Sequence, residues 1–140
     1  MTCCRSMDLI IYKSLKKSKD EKGALTELLQ ERDKRFIRFF YATIGPNKIR
    51  GNHYHRSLDE WLIAIDSKIK LIVEDITTKK RKEIILSPSS NGIPKVRIGV
   101  NLAHAVKNIS KKDAVIIGYM AKAYNHKSSG AYEYKRYNII

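Results

Sequence analysis

The sequence predicts an all-β fold, a small barrel or sandwich in a single domain. Three observations point there. Short apolar and β-branched runs recur at roughly even spacing, each closed by Gly, Pro, Asn, Asp or Ser. Several alternate apolar with polar residues, the pattern of a half-buried strand. No internal repeat, heptad or low-complexity segment interrupts them.

Taken in order, residues 1–7 read as a flexible start and 9–12 as a short apolar strand. Residues 16–22 form a polar turn ending in Gly23. Residues 24–30 read as a helix by propensity or a strand by their turn-bounded setting, and both stay open. The run 35–44 is a strong aromatic and β-branched strand. The turn 45–48 leads into an extended segment carrying two histidines. Runs 61–65 and 69–75 are expected to pair as a hairpin about Asp66 and Ser67. After a polar turn at 77–82 come a strand at 83–86, a loop at 87–94 and an alternating strand at 95–98. Residues 99–101 turn into a strand at 103–106, and after a turn at 108–113 a buried-looking strand covers 114–120. The tail from 124 to 140 is polar and tyrosine-rich, with His126 read as a surface residue. About eight or nine short antiparallel strands make a small β-barrel.

Composition narrows the class. A chain of 140 residues with 43% hydrophobic and 30% charged residues suits one globular domain with a real core. No apolar run approaches the ~20 residues of a membrane span, and the start lacks a signal-peptide core. The expectation is a cytoplasmic protein without a membrane partner. Cys3 and Cys4 are the only cysteines, and adjacent residues make a poor structural bridge. The net charge of +14 suits an anionic ligand, from nucleic acid to a diphosphate-bearing sugar. The lysines are spread widely and no aromatic-basic signature accompanies them, so nucleic acid is disfavoured.

Chemistry concentrates in Arg50-Gly51-Asn52-His53-Tyr54-His55. Side chains two apart on a strand share a face, so His53 and His55 point together and Tyr54 points away. A short turn brings Glu60 beside them, and His104 lies in a later strand. Three imidazoles and a carboxylate suit a divalent cation: zinc, nickel, iron or cobalt. The same four groups would equally satisfy one another as a hydrogen-bonded polar cluster. Trp61, next to Glu60, goes to the opposite face, where packing is expected.

These segments resemble the cupin superfamily, a jelly-roll barrel also described as a double-stranded β-helix, here spanning residues 8–140. Within it the chain is similar to RmlC-like sugar epimerases: the dTDP-4-dehydrorhamnose 3,5-epimerases and the C-terminal cupin of capsule-precursor enzymes. Arg50 to His55 with Glu60, and the run 100–108 around His104, carry the resemblance. The stretch 20–28, with Lys22 where arginine is usual, and Tyr119 through Tyr124 add to it. The resemblance implies an isomerase acting on a nucleotide-diphosphate sugar, with His53 as base and Tyr119 as the opposing acid. It implies Lys22, Arg50 and Tyr124 as substrate contacts, a homodimer, and no organic cofactor. Non-metal epimerases have glutamine near His55 and lysine near Glu60, so this chain substitutes two potential metal ligands. A metal-binding cupin of another class is the alternative.

Overall fold

The computed structural model describes residues 7–28, 36–123 and 131–140; the start expected to be flexible lies, except for Met7, outside them. β1 (Leu9–Ile11) and β2 (Leu15–Lys16) precede a small hairpin of β3 (Ser18–Asp20) and β4 (Gly23–Leu25). Then come β5 (Phe36–Ile44), β6 (Ile49–Tyr54), β7 (Leu58–Asp66), β8 (Ile69–Asp75) and β9 (Arg81–Leu86). β10 (Gly92–Ile93), β11 (Lys95–Ile98), β12 (Leu102–Asn108), β13 (Ala114–Lys122) and β14 (Lys135–Arg136) complete the order. Among the described residues none is helical, so no helix is long and apolar enough to cross a membrane.

Two five-stranded antiparallel sheets face each other, ordered β1-β11-β7-β13-β5 and β14-β6-β12-β8-β9. Their inward residues interdigitate as one apolar core, Leu62 and Ala64 of β7 meeting Leu71 and Val73 of β8 and Val106 of β12. The outward residues of β7 and β13, Trp61, Ile63 and Tyr119, pack under the N-terminal segment with Tyr12, Leu15 and Leu28. β7 is therefore buried on both faces along most of its length. The strand spacing leads one to expect such an antiparallel sandwich, and the resemblance implied its jelly-roll form.

Three expectations change. β7 and β8 lie in different sheets, so residues 66–68 form an arch across the sandwich rather than a hairpin. A hairpin and an arch both turn the apolar face of each strand inward, so alternation alone does not separate them. The polar run 16–22 holds the second residue of β2, all of β3 and the β3–β4 turn; of the stretch 24–30 left open between helix and strand, residues 24–25 lie in β4 and residues 29–30 lie outside the described residues. Within the tail, β14 pairs with the end of β6, Lys135 opposite Tyr54 and Arg136 opposite His53.

A bulge aims the histidine strand. On β6, His53 faces His104 and Gly51 faces Ala105, which leaves Asn52 as the extra residue. Asn52 has φ 57° and Gly51 φ 104°. A Cβ on Gly51 would sit 2.8 Å from the His104 carbonyl oxygen. Asn52 uses its odd position to tether the C-terminus, accepting from Ile139 N at 2.9 Å and donating to Ile140 O at 3.0 Å. Gly51→Ala is expected to cost about 1–3 kcal/mol through backbone strain and the clash on β12. A thermal unfolding midpoint equal to that of the unmodified protein would refute this account of the bulge.

Candidate functional site

The four groups singled out by the sequence meet between the sheets. β6 and the turn after it deliver His53 and His55, β12 delivers His104, and β7 delivers Glu60 from the opposite sheet. Their ligand atoms all lie within 4.8 Å of one another. Ring centroids of His53 stand 5.2 Å from His55 and 4.8 Å from His104. His55, Glu60 and His104 are each at most 3% exposed, while His53 is half-buried.

Hydrogen bonds set two of the three rings. His55 Nδ1 lies 2.6 Å from the Glu133 carbonyl oxygen, and His104 Nδ1 lies 3.0 Å from that of Leu102. A carbonyl only accepts, so both Nδ1 atoms carry the proton and both Nε2 atoms turn to Glu60. The distances to Glu60 Oε2 are 3.1 Å from His55 Nε2 and 2.6 Å from His104 Nε2. The His104 contact is close, yet it lies off the line of a hydrogen bond and leaves that nitrogen without a hydrogen-bonding partner. Two Nε2 atoms and a carboxylate oxygen converging, with each ring's far nitrogen on a carbonyl, suit a divalent cation that would displace the His55 Nε2 proton from Glu60. His53 differs: it is half-buried and no carbonyl among the described residues pairs with its ring, while its Nε2, like that of His104, is buried without a hydrogen-bonding partner.

The electrostatics follow from burial. Burial pushes the His53 pKa down from 6.5 to about 4, with the fields of His104, His55 and Arg38 adding to it against Glu60. The imidazole is therefore neutral at physiological pH. For Glu60, burial opposes ionisation, but His104 and His55 outweigh it and hold the carboxyl well below the usual carboxylate range. For His55, burial opposes protonation, and the hydrogen bond and charge of Glu60 overcome it to raise the ring.

A cavity of about 460 Å³ opens over the cluster, lined by His53, Glu60 and His104 at its base and by Arg38, Arg50 and Tyr132 further out. Its size is in the range of small-molecule sites. Arg50 Nε donates to the Thr43 carbonyl at 2.9 Å. The Arg38 guanidinium lies 4.2 Å from the centroid of the Tyr132 ring. Tyr134 approaches the His53 ring at 5.7 Å. Burial raises the Tyr132 hydroxyl above its ordinary pKa, so it stays protonated at neutral pH.

The sequence thus placed His53, His55, Glu60, His104 and Arg50 at one site. Tyr119 needs correction. It projects from the outer face of β13 and stacks on Trp61 at 4.8 Å and 10°, while its neighbour Met120 lines the cavity. Strand alternation decides this, and a register one residue different would have reversed it. Lys22 sits in the exposed β3–β4 turn, its amide donating to Asp20 Oδ1, and does not line the cavity of its own chain. Tyr124 lies outside the described residues, as does His126. Sequence reading missed Arg38, Tyr132 and Glu133. Arg38 could have been found as the charge among the alternating inward positions of 38, 40, 42 and 44, and Tyr132 and Tyr134 as a pair two apart.

Two facing antiparallel sheets around three imidazoles and one carboxylate define a cupin. The family model for the polysaccharide biosynthesis C-terminal domain matches residues 18–132, and the chain belongs to that family. No curated protein matches the sequence. Among solved structures it is similar to a 3,4-ketoisomerase from Helicobacter canadensis, with 26% identity over 94% of this chain and 92% of that one, TM-score 0.71. A dTDP sugar isomerase from Desulfovibrio desulfuricans G20 has 13% identity over 94% and 84%, TM-score 0.75. The dTDP-6-deoxy-D-glucose-3,5-epimerase RmlC from Legionella pneumophila has 20% identity over 84% and 68%, TM-score 0.68. The last two likenesses speak for the fold alone.

Tyr119→Phe is expected to keep the fold, costing no more than about 1.5 kcal/mol. Tyr119→Ala should cost about 3–5 kcal/mol by opening a cavity against Trp61. Chemical denaturation checks both, and equal losses would contradict a packing role.

Proposed function

We propose that the chain is a nucleotide-sugar isomerase or epimerase that removes a proton beside the ketone of a dTDP- or UDP-linked 4-keto-6-deoxy sugar. Its setting would be surface-polysaccharide or deoxysugar biosynthesis. One observation carries the reading: a neutral His53, its Nε2 buried and unpartnered, lines a cavity rimmed by two arginines. Related structures support the substrate class, being complexes with TDP, TDP-4-keto-6-deoxyglucose and dTDP-4-keto-L-rhamnose.

The ketone acidifies the hydrogen on its neighbouring carbon. The His53 imidazole takes that proton as the bonding electrons move into the carbonyl, leaving an enolate. Returning a proton to the same carbon from the other face gives epimerisation. Returning it to the former carbonyl carbon, with the neighbouring hydroxyl becoming the ketone, gives ketoisomerisation. Tyr132, protonated and on the cavity wall, takes the donor role first expected of Tyr119. Arg38 and Arg50 would hold the diphosphate, where fixed positive charge pairs strongly with phosphate oxygens.

Three side chains, His55, Glu60 and His104, would hold a divalent cation, which when bound supplies positive charge for the enolate oxygen. His53 is left as the base because no carbonyl among the described residues anchors its ring as hydrogen-bonded carbonyls anchor the other two. The raised His55 beside a buried carboxylate supports a second arrangement, an imidazolium–carboxylate pair without a cation. A homodimer acting in the cytoplasm remains part of the proposal, and light scattering tests the dimer.

In heavy water, the protein should wash deuterium into the position beside the ketone of a dTDP-4-keto-6-deoxy sugar. His53→Asn should lower that exchange by about 100-fold or more, the size of a lost general base. No exchange with dTDP- or UDP-linked substrates favours a cupin of another class. Elemental analysis should find near-stoichiometric divalent metal that both His55→Ala and Glu60→Ala reduce; metal-free protein from a metal-supplemented preparation selects the ion-pair arrangement.

A further inference from the structure

We propose that Glu133 is a positioning residue for the cluster, fixing which nitrogen of His55 faces Glu60. Only its metal-affinity readout rests on reading the cluster as a divalent-cation site. Residue 133 lies ~80 positions along the chain from His55, yet both its backbone and its side chain hold the 55–57 turn. Its carbonyl oxygen accepts from His55 Nδ1 at 2.6 Å. Its carboxylate Oε1 accepts from the amides of Arg56 and Ser57 at 2.8 and 3.0 Å and from Ser57 Oγ at 3.2 Å.

The two halves of Glu133 act together. The carboxylate satisfies successive amides of the turn linking the two sheets, which holds residue 133 in register with it. That register puts the carbonyl on the His55 ring. With Nδ1–H committed to the carbonyl, Nε2 is the nitrogen turned to Glu60 Oε2, 3.1 Å away. The flanking residues brace the same segment: Tyr132 lies 6.0 Å from the His55 ring and Tyr134 5.7 Å from that of His53. Further along, Tyr137 N donates to the Asn52 carbonyl at 2.8 Å. The Tyr137 hydroxyl also donates to Glu74, and Lys79 Nζ donates to that hydroxyl. Residues 131–140 are thus a strap whose tightest hold on the site is through Glu133.

The test compares Glu133→Ala with Glu133→Gln, which keeps an acceptor oxygen for the turn amides. Proton NMR of nitrogen-15-labelled, metal-free protein reads the His55 Nδ1–H held on the 133 carbonyl as a slowly exchanging signal. The unmodified protein and Glu133→Gln should keep that signal, while in Glu133→Ala it exchanges about tenfold faster or more. In chelator competition, Co²⁺ affinity should fall about tenfold or more in Glu133→Ala and hold in Glu133→Gln, the size of effect for an outer partner of a ligand. A kept Nδ1–H signal with unchanged Co²⁺ affinity in Glu133→Ala overturns the proposal, as does equal loss in both variants. Should Glu133→Ala fail to fold, Ser57→Ala removes one of the carboxylate's donors and should speed the exchange the same way by less; no change overturns it. If the unmodified protein takes up no Co²⁺, the cation reading fails, and the Nδ1–H exchange still decides the role of Glu133.

Discussion

A carboxylate removed from water costs on the order of several kcal/mol unless charge and hydrogen bonds replace the lost hydration. Glu60 is 3% exposed between two sheets whose other inward residues are mostly aliphatic. Its compensation comes from the opposite sheet, through His55 and His104. That one contact ties the sheets together at their polar end, as the aliphatic core ties them along the rest of their length. The bulge at Gly51 and Asn52, the 55–57 turn and the C-terminal strap all serve to bring nitrogen atoms to that oxygen.

The three imidazoles are chemically alike and structurally unlike. His55 and His104 are anchored at Nδ1 on carbonyls and aimed at the carboxylate. His53 sits half-buried beneath the cavity with its Nε2 unpartnered. Environment therefore separates them: two rings anchored beside the carboxylate, and one kept neutral that lines the cavity. The positive rim of Arg38 and Arg50 has its own logic, since a basic cavity whose only acidic lining group is Glu60 suits an anionic ligand. In a chain of net charge +14, the two arginines give that general attraction a specific place.

Much of this was legible beforehand, for definite reasons. Even strand spacing and turn residues are local properties, so the all-β sandwich and the strands around 35–44, 69–75 and 114–120 could be read directly. His53, His55, Glu60 and His104 were legible because few uses exist for three imidazoles and a carboxylate in apolar strands. Tyr119 went astray because a side chain's face depends on strand register, which a bulge or one extra residue reverses. Arg38, Tyr132 and Glu133 stayed hidden because their roles arise from contacts between distant segments, with no local period to announce them.

The order of polar and apolar residues alone therefore determined that this chain forms short antiparallel strands and buries a His/Glu set. Those consequences need only local geometry and the cost of burying unpaired polar groups. Tertiary structure decided the rest: that 66–68 is an arch, that Tyr119 supports packing, and that a carbonyl from residue 133 orients a ring at residue 55. Pairing between distant strands and the seating of a terminal strap depend on the whole set of packed contacts at once, and no window of neighbouring residues contains that information.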